Sequence, residues 1–338
     1  MQTLVGDHLA ATERTSDAAA APFALGAALN HDGHAWVLLD SQGGDGRGLG
    51  PALAWAIRRG AESLDVVADE GTEILARRAE TFAYPINVWS VEGRALKPAV
   101  VAGFEREREP RDEHLRFIGD IEAAGATPLV EHGVVTGEVR GLEVCRVVDV
   151  EGAAGTESRL DVGVGVHDRE AFAIMHAGMP IGDALASAVA AVTAVRDRSV
   201  PAHPLNRLAP ERFLRWRLEQ EPWLVDMAAV RHAGPPVPRR NLTDRVPCTA
   251  RGERVDGRLA VIVCSVGVDL DVIPYAADAR LAAERERPAR VPTEASDEPG
   301  DAPIDVLVVV PRRDAMASTK DLASRLRRPV TLVPLPSS

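Results

Sequence analysis

The sequence predicts an α/β protein, and three observations carry that prediction. Residues 256–335 read strand, helix, strand, helix, strand, at 258–265, 274–283, 305–311, 319–327 and 329–335. An earlier stretch, 32–91, repeats that plan. Between the two, residues 134–150 and 159–166 alternate as strands beside helical stretches, which makes the middle α+β.

The echo between the ends can be followed residue by residue. Asp65-Val66-Val67-Ala68 matches Asp305-Val306-Leu307-Val308, and each run leads into an apolar-periodic helix closed by paired arginines, Arg77-Arg78 and Arg327-Arg328. A proline then opens a β-rich run, at Pro85 and at Pro329. Asp65 to Pro85 is 20 residues and Asp305 to Pro329 is 24, a difference of about one helical turn. Upstream, Pro51 and Pro274 each stand at a helix start, where a missing N–H costs nothing. Residues 284–303 are charged, Pro-rich and short of anything to bury, so they read as a mobile insertion.

Taken in order, residues 1–20 read as a polar helix. Residues 23–29 and 34–40 form a hairpin around Asn30-His31-Asp32-Gly33, where Asp-Gly supplies the positive φ of a tight turn. A Gly-rich loop, 41–50, precedes a helix whose apolar face holds Leu53, Ala56 and Ile57 and which Gly60 stops. Leu75, Ala79 and Phe82 mark the second helix, and residues 94–101 add an edge strand. The charge run 105–113 and the stretch 199–204 are boundaries, which gives domains at 1–105, 112–200 and 205–338. In the middle domain a helix through Leu115, Ile118 and Ile121 ends at Gly125, and residues 151–158 form a loose turn between strands. Ile181, Leu185, Val189 and Val192 give a further helix one apolar face. Phe213, Trp216 and Trp223 follow in a helix and its exit, with both tryptophans reading as core.

Composition narrows the class. With 338 residues and 46% hydrophobic content the chain is globular, and a formal net charge of −11 argues against polyanion binding by the whole surface. No apolar run approaches the ~20 residues that cross a bilayer. Asp7 and Glu13 replace the basic n-region of a secretion signal, so no membrane partner is expected. Cys145, Cys248 and Cys264 share no metal-type spacing, and so sparse a set suits a reducing cytoplasm.

Several residues carry candidate chemistry. Glu138, Glu143 and Asp161 with His167 could bind a metal, or form the wet face of a half-buried sheet. Between His203 and Arg258 there are 11 arginines against 7 acidic residues. Arg212, Arg215, Arg239 and Arg240 are the candidates for nucleic-acid phosphates. The alternative is that Arg212 and Arg215 pair with Glu211 and Glu219 on a solvated helix face. Asp269 and Asp271 could bind a metal, or form a solvated turn or a helix N-cap.

From Leu208 onward the chain resembles the PD-(D/E)XK nuclease superfamily, closest in layout to the C-terminal domain of the NucS-type mismatch endonucleases. The resemblance is carried by helix 211–219, by Asp244 in Asn241-Leu242-Thr243-Asp244, by the turn Asp256-Gly257 and by the strand Leu259 to Ser265. It implies restriction-endonuclease-like α/β units at both ends of the chain. In that family two carboxylates hold Mg²⁺ and a lysine activates water. Here Asp244 falls at the first carboxylate, but Val263 and Ser265 fall at the glutamate and the lysine. In the first copy Asp40-x-Gln42 stands as a variant of the acid-x-Lys pair, with no acidic residue before it on 23–29.

The resemblance therefore implies a degenerate, non-cutting protein that binds nucleic acid or a protein partner. Two other readings stay open. One is a Mg²⁺-dependent nuclease using Asp40 or Asp244, and the other an acidic scaffold that dimerises through its sheets.

Overall fold

The computed structural model describes residues 21–40, 46–93, 95–101, 103–104, 108–152, 155–175, 178–197, 203–237, 246–286 and 304–336. Its strands form three open sheets of six, four and five strands, with helices between them. The architecture is mixed α/β, and among the described residues no helix is long and apolar enough to cross a membrane. Two compact units result: residues 1–104, 260–263 and 267–335 form the first, and 105–259, 264–266 and 336–338 the second. Chain order suggests three consecutive domains, but in space the last α/β stretch belongs with the first.

In the first unit the chain opens as a meander. Strands β1 (Ala21–Phe23), β2 (Gly26–His31) and β3 (His34–Leu39) pair antiparallel. The β2–β3 turn is Asp32-Gly33, both at positive φ, the two-residue hairpin geometry such a pair favours. Helix α1 (Leu49–Arg58) crosses to β4 (Ser63–Ala68), and α2 (Thr72–Ala79) crosses to β5 (Ile86–Glu92). Strands β3, β4 and β5 run parallel, with Val37 opposite Val66 and Val66 opposite Val88. Strand β6 (Ala95–Pro98) returns antiparallel at the edge. Leu64, Val66 and Ala68 share one fully buried face of β4, and Asp65 and Val67 on the other are buried as well, as in a parallel strand covered on both sides.

The second unit holds the four-stranded meander β7 (Thr127–Glu131), β8 (Val134–Val139), β9 (Leu142–Gly152) and β10 (Gly155–Val162). Residues 134–150 are thus two strands, because Arg140-Gly141 turn the chain at positive φ. The expected loose turn at 151–158 is corrected to a hairpin paired out to Gly152 and Gly155. Helices α3 (Asp112–Leu115), α4 (Ile118–Ala123), α5 (Val166–Met175) and α6 (Ile181–Val195) follow the same unit. Leu185, Val189 and Val192 of α6 pack with Val135, Val144 and Leu160 of the sheet, as their helical spacing required. Helix α7 (Pro210–Gln220) and the hairpin β11 (Ala229–His232) with β12 (Cys248–Glu253) complete it.

Strand β13 (Leu259–Cys264) leads back to the first unit, whose second passage is α8 (Val272–Glu286), β14 (Asp305–Pro311), α9 (Ala317–Ser324) and β15 (Thr331–Leu335). Strands β14 and β15 are parallel, with Val309 opposite Val333. Arg77 and Arg78 lie inside α2, whereas Arg327 and Arg328 follow α9, so the paired arginines are not equivalent. The second passage is longer because a 3-10 turn, Arg312–Asp314, precedes α9.

The positions that do correspond meet each other. Phe82 and Leu326, each three residues before the proline of the next strand, form an antiparallel bridge. Ala83 N donates to Arg325 O and Arg327 N to Thr81 O, both at 2.8 Å. Exchanging the two passages exchanges these two bonds, the mark of a local two-fold axis. Close by the same seam, the chain at Leu270 and Asp271 runs hard against α1. A Cβ built on Gly50 would stand 2.2 Å from Leu270 O.

Gly50→Ala tests how tightly this seam is closed. Alanine improves helix propensity by about 1 kcal/mol, yet here it must push two main-chain segments apart. The expected outcome is a net loss of about 2 kcal/mol or more in chemical unfolding.

Candidate functional site

The residues singled out in the sequence fall into three places. Gln42, Asp244, Arg239 and Arg240, most of the insertion 284–303, and the helix expected at 1–20 lie outside the described residues. Asp40, just past the end of β3, is exposed. Val263 and Ser265 are buried on and just beyond β13, so neither offers a group to a ligand.

Asp269 and Asp271 come together at the start of α1. Asp271 accepts hydrogen bonds from Gly48 N and Gly50 N, both at 2.9 Å, and so satisfies two donors that a helix N-terminus leaves open. Asp269 accepts from Arg47 Nη2 at 3.1 Å and from Asp271 N at 2.9 Å. The pair is therefore a helix cap supplied from 220 residues downstream, and a buried one instead of the expected solvated turn. Burial and the neighbouring Asp269 carboxylate push Asp271 up to about 6, against the pull of Arg47 and the two N–H groups.

A second carboxylate lies wholly inside the same unit. Asp278 of α8 is 0% exposed and accepts from Arg77 Nε at 2.6 Å, Arg77 Nη2 at 3.0 Å and Arg78 Nε at 3.2 Å. Arg78 also donates to Gly46 O at 2.7 Å and Arg77 to Gly103 O at 3.2 Å. Two guanidinium groups on one carboxylate, each with a further N–H on a carbonyl, make burial of the charges tolerable.

Sequence reasoning missed one row of polar groups on β3, β4 and β5. Asp65 is buried and accepts from His34 Nε2, from Asn87 Nδ2 at 3.1 Å and from Trp89 Nε1. Ser63 Oγ lies 2.8 Å from His34 Nδ1. The spacing Ser63-x-Asp65 beside His34 was the available signal, since alternate residues share one face of a strand. The atoms run opposite to a serine-hydrolase triad, where serine meets Nε2 and the carboxylate meets Nδ1. With Asp65 shared among three donors, the row cross-links adjacent strands and does not poise a nucleophile.

In the second unit, Arg212 and Arg215 are turned inward. Glu138 accepts from both, and Arg212 also reaches Glu131. Arg215 Nε lies 3.1 Å from Glu219, and His232 Nε2 lies 2.6 Å from Glu131. The expected phosphate contacts from these two arginines are thus replaced by a buried ion-pair network. Glu143, also buried, lies opposite Glu138 on β9 and is gripped by Arg146 and Arg169, each at 2.8 Å. At Glu138 and Glu143 the expected wet face is dry, because arginines cover both carboxylates, whereas Asp161 stays partly exposed beside Arg159 and His167 is exposed. Although burial alone would raise it, Arg215 and Arg212 hold Glu138 below the usual carboxylate range. Glu131 likewise stays low through His232 and Arg212, against the penalty of burial.

The remaining candidates are quickly placed. All three cysteines are free and buried, and burial pushes Cys145 up to about 12, which leaves it inert. Trp216 is half-buried against Phe213, but Trp223 is 66% exposed, a correction to its reading as core. Among the described residues no three His, Cys, Asp or Glu side chains cluster as a metal site would require. A scan against protein-family models, a search of curated proteins and a search of solved structures each found no match.

Two predictions follow from these charges. Asp278→Ala leaves two arginines buried without a counter-ion and should cost about 3–5 kcal/mol in denaturant unfolding. In pH, the two units should move in opposite directions. The raised Asp271 binds its proton more tightly when folded, so the first unit firms as pH falls from about 6 towards 4. The lowered Glu131 and Glu138 stabilise the second unit above their ordinary value near 4.5 and lose that contribution below it. Hydrogen exchange followed peptide by peptide, corrected for intrinsic rates, should show protection near α1 rising between about pH 6 and 4 and protection of β7 and β8, which carry Glu131 and Glu138, falling below about pH 4.5.

Proposed function

We propose that this chain is a nuclease-like α/β protein that binds nucleic acid or a protein partner without cutting it. Support for the nuclease-like part comes from strand order. The resemblance implies two strands joined by a tight turn and then helix, strand, helix and strand; β2 to β5 with α1 and α2 follow that order, and β13 to β15 with α8 and α9 repeat its second half. The observation that carries the loss of cutting is where the carboxylates go. Asp269 is held by Arg47, Asp271 caps α1, and Val263 and Ser265 are buried where an acid and a lysine would be needed. Asp40 belongs to no cluster of three or more His, Cys, Asp or Glu side chains among the described residues.

Nucleic acid is favoured by the same arginine-rich stretch, once its buried members are set aside. Arg231 on β11 is exposed, and so is Trp223, whose ring suits stacking on an unpaired base. The overall charge of −11 confines such binding to a local patch.

Incubation with plasmid and Mg²⁺ or Mn²⁺ should leave the DNA intact. Retention of single-stranded oligonucleotide on a gel should weaken with added salt and fall by about tenfold in Trp223→Ala. Metal-dependent nicking that disappears in Asp40→Ala or Asp244→Ala would overturn the reading. Absence of retention even at low salt would remove nucleic acid as the partner.

A further inference from the structure

The first unit contains a hollow of about 250 Å³ beside the Phe82–Leu326 bridge, lined by Arg77, Arg280, Arg327 and Arg328 against a single carboxylate, Glu80, with Leu281 and Leu326 among the rest. Two of these four arginines have a carboxylate as hydrogen-bond partner and two do not. Arg77 is engaged by Asp278, and Arg328 makes a bidentate pair with Glu284 at 2.6 and 2.8 Å. Arg280 and Arg327 differ. Arg280 donates to the main-chain carbonyls of Arg328 and Pro329, and Arg327 to that of Glu80, so their hydrogen bonds run to neutral oxygens. Arg280 is only 5% exposed, and its buried Nε has no hydrogen-bond partner.

A buried guanidinium with an open donor and no carboxylate on it is costly unless something anionic arrives. Burial and the nearby charge of Arg328 lower the pKa of Arg280 from the usual arginine range, and the charges of Glu284 and Asp305 offset this only in part. The number of cations decides between anions. One arginine fork suffices for a carboxylate, whereas several converging forks match the charge and the oxygens of a phosphate dianion. The size of the hollow excludes a duplex and admits a single phosphate group with a short organic appendage.

We propose that this hollow is a binding site for a phosphate dianion, held by Arg280 and Arg327 and assisted by Arg328. The phosphate comes from either of two sources of one chemistry: a small phosphate monoester, or the terminal phosphate of a nucleic-acid strand. The site does not depend on the nucleic-acid reading above, because a small ester fills it whether or not DNA is retained.

Calorimetric titration of the full chain with inorganic phosphate tests the proposal. Saturable binding with Kd of about 0.1–1 mM is expected. Arg327→Gln, an exposed position that should leave the fold intact, should weaken it about tenfold, and Arg280→Gln at least as much. Glu284→Gln frees Arg328 and should tighten binding, a gain that damage to the fold does not produce. Competition then identifies the source. A 5′-phosphorylated dinucleotide that displaces phosphate when its unphosphorylated form does not points to strand ends, and displacement by glycerol phosphate alone points to a small ester. Absence of saturable phosphate binding, or binding indifferent to both Arg327→Gln and Glu284→Gln, overturns the proposal.

Discussion

The first unit depends on one buried charge. Asp278 is taken fully out of water, which is tolerable only because Arg77 and Arg78 arrive together and carry the carboxylate between them. Those arginines sit on α2, about 200 residues earlier in the chain. The contact therefore requires that the last α/β passage close onto the first, and the other features of the seam share that requirement. The cap of α1 by Asp271, the close approach at Gly50 and the reciprocal bonds around Phe82 and Leu326 all join the same two passages.

The second unit solves a similar problem with different residues. Glu138 on β8 is buried against Arg212 and Arg215 of α7, so sheet and helix are joined by charge where a hydrophobic layer would be the simpler choice. Arg196 shows the neutral version of the same device. Its guanidinium donates to the carbonyls of Arg140, Leu205, Leu208 and Ala209, and burial lowers its pKa to about 10. Such networks favour one arrangement strongly, because any slip leaves a charge or a donor unpaired in a dry place.

Local signals in the sequence were read well where local physics decides. Asp32-Gly33 requires a tight hairpin, and Pro51 and Pro274 each take the third position of a helix, where the missing N–H is harmless. The face of α6 followed from its spacing. Burial was harder to read. Glu138 and Glu143 face each other across two strands, but strand periodicity is blind to what covers that face. Trp223 failed in the opposite sense, since a large aromatic residue reads as core unless the neighbours that would bury it are known.

The sequence by itself determined the alternation of strands and helices, the turn positions and the likeness of the two end passages, because propensity and periodicity act over a few residues. Only the tertiary structure decided which passages share a unit and which charged side chains are consumed in holding it. Asp269 and Asp271 could equally have been metal ligands or a cap until Gly48 and Gly50 were brought to them from more than 200 residues away. A carboxylate's role is set by the partner it meets, and that partner is a property of the fold.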